Sequence, residues 1–235
     1  MLFTGRKLAQ RIARTAALAV FAVAPWLSFA APLAPYTDSA ATPPANPDTG
    51  MALVSASADA RQALRWVVDG HDNEGLPFVI VDKKGGRIFV FEATGQLRGA
   101  SPALTGLAPG DHGVPGMAQR SVASLRDYER TTPAGRFVSE PGHNLQGEAI
   151  VWIDYAAKLA IHRLRPAPPA ERRAERLASD TPDDNRISMG CVVVPVSFYE
   201  TVVGPALGKS RGIVYVLPET QPLARMLGAL QMSQR

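Results

Sequence analysis

A single cysteine, Cys191, stands directly after Gly190, where the polar run Asn185-Arg186-Ile187-Ser188-Met189-Gly190 gives way to the apolar Val192-Val193-Val194. A thiol in that setting can be presented at a strand edge. Glycine lets a substrate carbonyl approach the backbone closely, and N–H groups near Cys191 can stabilise an oxyanion. The chemistry these residue types support is acyl transfer through a thioester. A thiol at its free pKa is mostly protonated at neutral pH, so it needs a base or a positive field beside it. Four histidines are available. His71 follows a helical pattern, His112 lies in a long loop, His143 sits in a glycine-flanked turn, and His162 falls within a β-rich run. A strand holds a base most firmly, and Ala160, His162 and Leu164 share one strand face. The pattern leaves two readings open, a base for Cys191 or a satisfied structural histidine, because sequence spacing does not show that the two residues meet.

The first 14 residues carry Arg6, Lys7, Arg11 and Arg14 with no acid, Ala16 to Leu27 is apolar, and Ser28-Phe29-Ala30 offers small residues at the two positions a signal peptidase reads. This order predicts an export signal over residues 1–30, cleaved after Ala30, and a periplasmic or otherwise exported protein. The apolar run is shorter than the ~20 residues of a spanning helix and is broken by Pro25, so no stable membrane span is expected after cleavage. The formal net charge of +4 belongs to that signal: without its four cations, 21 Lys and Arg face 21 Asp and Glu. No basic footprint for nucleic acid remains. One cysteine cannot form an internal disulfide, so export leaves Cys191 as a lone thiol in an oxidising compartment, either reactive or buried and inert.

The elements that must position these residues follow from periodicity. Residues 31–56 are rich in Pro, Ala and Thr and read as a linker. Ala60, Ala63, Leu64, Val67 and Val68 recur at helical spacing, with Ser57 to cap and Gly70 to end, so a leading helix is expected within 57–75. Phe78–Val81 and Arg87–Phe91 predict one hairpin, Ala149–Ile153 and Leu159–Leu164 a second, with His162 on its returning strand. Thr105–Thr132, punctuated by glycine and proline, reads as a long binding or lid loop. Val192–Val194 and Gly212–Leu217 read as strands, Ser197–Leu207 and Gln221–Met232 as helices. The expected class is mainly β with peripheral helices, predominantly antiparallel, over residues 76–218, followed by a C-terminal helix within 219–235.

Ile161-His162, Ser188-Met189-Gly190-Cys191 and the upstream Thr132-Pro133-Ala134-Gly135-Arg136-Phe137 together resemble the motif set of the YkuD-type L,D-transpeptidases, and the resemblance runs from about Phe78 to Val216. It implies a β-sandwich-like catalytic domain and peptidoglycan stem peptides as partner. By the same resemblance Cys191 is the nucleophile and His162 its base, Gly190 with Cys191 supplies backbone donors, Ser188 shapes the histidine's surroundings, and Thr132–Phe137 is structural support. It also implies sensitivity to carbapenems.

Two positions depart from that pattern. The family commonly has histidine before the Gly-Cys pair and Arg or Asn two residues after the cysteine, where this chain has Met189 and Val193. Substrate anchoring must then come from elsewhere, and Arg186 is the candidate, through paired hydrogen bonds to a stem-peptide carboxylate. The His162–Cys191 interval is lengthened by Pro166–Asp184, an Arg-rich helical insert that either covers the cleft or is solvated. No zinc or EF-hand spacing occurs, so neither metal nor cofactor is expected. The competing readings are a catalytically degenerate peptidoglycan-binding protein, an L,D-carboxypeptidase-like hydrolase, and a secreted structural protein with a buried Cys191.

Overall fold

Two apolar runs flanking a polar, glycine-ended turn start the sheet. The computed structural model of the chain describes residues 55–233; the expected signal, its cleavage point and the linker up to residue 54 lie outside them. Strands β1 (Phe78–Asp82) and β2 (Arg87–Phe91) pair antiparallel from Phe78↔Phe91 to Asp82↔Arg87. Asp82 Oδ1 closes their turn by accepting the Gly85 N–H at 3.0 Å, the local hydrogen bond that favours aspartate at turns.

Eight strands follow: β3 (Leu97–Pro102), β4 (Thr105–Gly106), β5 (Gly135–His143), β6 (Ala149–Asp154), β7 (Leu159–Arg163), β8 (Arg186–Ser188), β9 (Val192–Val194) and β10 (Gly212–Val216). One eight-stranded sheet runs β3-β2-β1-β10-β5-β6-β7-β9, and β4 pairs with β8 separately. Within the large sheet only β1·β10 and β7·β9 are parallel. The expected class, mainly β with peripheral helices, is the observed one.

The sheet turns a corner within β5. Gly135–Ser139 pairs with β10, whereas Glu140–His143 pairs with β6. Pro141 is tolerated because its half of the strand has a partner on one side only. At the two ends, Leu104 just past β3 and Val193 of β9 exchange both backbone hydrogen bonds, at 2.8 and 2.9 Å, so the curled sheet nearly closes. Its two halves share one core: Val79, Val81, Val214 and Val216 from one, Val151, Ile161, Val192 and Val194 from the other.

Helix α1 (Ala58–Gly70) starts where Ser57 Oγ accepts the Ala60 N–H at 3.0 Å and stops at His71, φ 53°, as the capping signals predict. The remaining helices are α2 (Arg173–Ala178), α3 (Val196–Phe198), a π-helical turn (Tyr199–Val203), α4 (Gly204–Leu207) and α5 (Leu223–Ser233). The π turn directly precedes Gly204-Pro205, and the Gly204 N–H donates to Tyr199 O five residues back; proline cannot donate, and its ring crowds the carbonyl four residues back. Tyr199, Val203 and Leu207 from this helical run cap the shared core. On the opposite face of β1, β2 and β10, Phe78, Ile80, Phe89 and Tyr215 pack under Ala63 and Val67 of α1 and Met226 and Leu227 of α5. Burial of both faces explains why these strands read as continuous apolar runs. Among the described residues no helix is long and apolar enough to cross a membrane.

Leu207 is fully buried in the shared core, so Leu207→Ala is expected to lower stability by about 2–5 kcal/mol in urea titrations. Leu145 is 100% exposed, and Leu145→Ala is expected to stay within about 0.5 kcal/mol of the parent.

Candidate active site

Strand alternation decides what faces the cleft. In β7, Leu159 and Ile161 point into the core, so Ala160 and His162 point outward. In the neighbouring β9, Val192 and Val194 point inward, which turns Cys191 and Val193 out. The parallel register Ile161↔Val192 and His162↔Val193 sets Cys191 beside Ala160, two residue pairs along from His162 and on the same face. Both side chains line one cavity of about 650 Å³, with Ile150, Trp152, Ala160 and Arg165 in its wall. Sequence spacing could not show that Cys191 and His162 meet; the parallel β7·β9 pairing brings them to the same cavity.

His162 is 8% exposed. Its Nδ1–H donates to the Arg163 carbonyl at 2.8 Å, which leaves Nε2 as the unprotonated, accepting nitrogen. Burial is the main cause that lowers its pKa from 6.5 to about 4. Burial likewise pushes the Cys191 thiol up, opposed by the Ala160 N–H and the positive field of Arg165. The thiol donates to Lys158 O at 3.6 Å. Lys158 adopts φ 55° at the end of the β6–β7 turn, and that conformation aims its carbonyl at Cys191. Among the described residues no hydrogen bond joins Sγ to the imidazole. The resting pair is therefore a neutral thiol and a neutral imidazole, suited to base-assisted attack rather than to a standing ion pair.

The turn that carries Cys191 is held from below. Gly190 has φ 127°, and a Cβ there would lie 2.8 Å from Thr131 O, so only glycine fits. The Gly190 carbonyl accepts Thr132 Oγ1–H at 2.7 Å, while Thr132 Oγ1 accepts the Gly106 N–H at 2.8 Å. Thr132 is thus the support expected of its segment, with a defined contact. Two expectations are corrected. The Gly190 N–H is no spare oxyanion donor, because it already donates to Ser188 Oγ at 3.0 Å. Ser188 does not shape the histidine; its hydroxyl donates to Cys191 O at 2.6 Å and so folds the turn that carries Cys191.

Arg186 is also placed differently from expectation. Its guanidinium pairs with Glu219 and does not line the cavity that Cys191 and His162 share. Glu219 belongs to a buried cluster around Lys83, whose Nζ donates to Gly110 O at 2.6 Å, Thr132 O at 2.7 Å and Asp111 Oδ1 at 2.9 Å. Asp111 in turn accepts the N–H groups of Glu219, Thr220 and Gln221. Burial lowers the Lys83 pKa to about 8, with Asp111 opposing that shift. Sequence reading passed over this cluster because its members are 28 to 136 residues apart and singly resemble surface charges.

Met189 is 37% exposed and lies outside the main cavity. Val193 is buried among Leu104, Leu164, Leu177 and Ile187. The Pro166–Asp184 insert therefore does not close over the cleft with its helix; through Leu177 of α2 it packs on the outer face of β9. Among the described residues no three His, Cys, Asp or Glu side chains gather as a metal-binding group.

Folding holds His162 neutral to about pH 4, whereas the unfolded chain protonates it near 6.5. Between those values the unfolded state binds the extra proton, so stability is full above about 6.5 and is lost as pH falls. The expected loss from His162 is about 3 kcal/mol, read as the drop in urea-derived stability from about pH 7 to about pH 4 that His162→Gln removes. Thr132→Val is expected to cost about 1–3 kcal/mol by orphaning the Gly106 N–H or the Gly190 carbonyl, with slowed alkylation of Cys191 at matched folding as the second readout.

No family model matches the sequence, and no curated relative does. Several solved structures are similar in part. An L,D-transpeptidase from Xylanimonas cellulosilytica aligns at 17% identity and TM-score 0.38 over 60% of this chain and 60% of that one. The catalytic domain of the E. faecium L,D-transpeptidase aligns at 16% identity and TM-score 0.32 over 60% of this chain and 96% of that one. The helical cell shape determining protein Pgp2 from Campylobacter jejuni aligns at 14% identity and TM-score 0.37 over 76% of this chain and 65% of that one. The chain thus spans less than two thirds of the length of the first and third of these structures.

Proposed function

We propose that this protein is an exported peptidoglycan L,D-transpeptidase that works by cysteine acyl transfer. The observation that carries the reading is the convergence of Cys191 and His162 on one cavity from adjacent parallel strands. The motif resemblance supplies the substrate class, and the charge order of residues 1–30 supplies the compartment.

Chemically, Sγ attacks the carbonyl carbon of a stem-peptide amide while Nε2 of His162 takes the thiol proton. The tetrahedral intermediate collapses with cleavage of the C–N bond, and the imidazolium returns that proton to the departing amine. A D-amino acid leaves and a thioester remains on Cys191. An incoming amine then attacks the thioester, losing its proton to Nε2, and Sγ departs to recover it. With an amine the product is a new amide; with water it is a shortened stem. The low pKa of His162 keeps the base unprotonated across the neutral range, and the largely apolar cleft wall strengthens each polar interaction made during attack.

A binding-only protein is the second reading. It draws on the raised thiol pKa and on the hydrogen bond from Sγ to Lys158 O instead of to His162.

Intact-mass analysis of residues 31–235 incubated with a tetrapeptide-containing muropeptide or a carbapenem separates the two. The expected outcome is an adduct on the parent, none on Cys191→Ala, and acylation slowed by about 100-fold or more in His162→Ala. Folded protein that forms no adduct with either reagent would discard the enzyme in favour of the binder.

A further inference from the structure

The cleft contains an arginine with an unused face. Arg165 lies just past β7, three residues after His162, and its side chain is 32% exposed. Its Nε pairs with Glu148 Oε2 at 2.5 Å. Glu148 is itself fixed, by Asn144 Nδ2 at 3.0 Å and by Arg163 Nε at 3.0 Å. This carboxylate anchors one edge of the Arg165 guanidinium and partly balances its charge. The two terminal NH2 groups of Arg165 have no hydrogen-bond partner among the described residues. Arg165 lines the same cavity as Cys191 and His162, and its charge acts on both, favouring the thiolate and disfavouring the imidazolium.

The rest of that wall is largely apolar, with Ile150, Trp152, Ala160 and Val122. Lys158 also lines the cavity, but its Nζ donates to the Arg120 carbonyl, so Arg165 is the cation left with free donors, and it selects a ligand with one anionic group at a set distance from the reacting carbonyl. A guanidinium whose Nε is occupied still offers its paired terminal N–H groups end-on, the geometry that fits a carboxylate.

We propose that Arg165 is the carboxylate clamp of the cleft: its terminal N–H groups receive the free C-terminal carboxylate of the donor peptide, which places the adjoining amide against Cys191. The inference rests on the peptidoglycan reading above and narrows it. Arg165 is then the residue of this chain that holds the terminal residue beyond the scissile amide. Arg165 positions substrate and has no part in proton transfer.

Binding to the full chain carrying Cys191→Ala tests this without turnover. Calorimetric titration with a stem tetrapeptide is compared with the same peptide as its C-terminal amide, in the presence and absence of Arg165→Gln. The acid is expected to bind about 10- to 100-fold more tightly than the amide. Arg165→Gln is expected to erase that difference by weakening the acid alone, and Arg165→Lys to restore part of it, with Leu207-core stability unchanged in urea. Equal binding of acid and amide, or an equal loss for both in Arg165→Gln, overturns the clamp and leaves the proposed function standing. Binding of neither peptide overturns the substrate class and the clamp together.

Discussion

A buried ammonium group orders the end of this domain that carries Cys191. Lys83 Nζ carries three N–H groups and meets three oxygen acceptors, on Gly110, Asp111 and Thr132, with Glu219 at 3.3 Å as a second carboxylate. A charge out of water is tolerable only when paired and hydrogen-bonded. Lys83 therefore obliges the β1–β2 turn, the long loop between β4 and β5, and the segment before α5 to come together. Glu219 passes the constraint on to Arg186 at the start of β8. The Thr132 carbonyl is gripped by Lys83 while the Thr132 hydroxyl holds Gly190. Two hydrogen bonds through one threonine link a buried charge to the turn that presents Cys191.

The sheet supplies the complementary constraint. Its corner in β5 and its near closure between Leu104 and Val193 bend one sheet into two halves around a common apolar core. The outer face of β6 and β7, with Cys191 just before β9, is then free to form a cleft, because α1 and α5 cover β1, β2 and β10 instead. The insert between β7 and β9 seals Val193 under Leu177.

Electrostatics in the cleft follow from burial. Burial disfavours both charged forms, the thiolate of Cys191 and the imidazolium of His162. A neutral pair can exchange a proton during attack, when a substrate carbonyl develops negative charge, without holding separated charges beforehand. The Nδ1–H bond to Arg163 O selects the tautomer this requires.

Local physics in the chain was enough for much of the scaffold. The Ser57 cap, the first hairpin, the β6–β7 hairpin and the Val192–Val194 strand follow from capping chemistry, turn residues and two-residue alternation, and each depends on neighbours within about a dozen residues. The residue types of Cys191 and His162, and the need for glycine at 190, were legible for the same reason. Strand β5 was not, since glycine and Pro141 argue against a strand until its one-sided pairing is seen. Nor was the role of Ser188, whose hydroxyl chooses between partners only once the Cys191 turn exists. Arg186 and Arg165 are similar on paper, one a few residues before Cys191 and the other a few after His162. Only the fold separates them, because an ion pair depends on which side chains are neighbours in space: Glu219, 33 residues away, claims Arg186, while the parallel crossing of β7 and β9 leaves Arg165 facing the thiol's cavity.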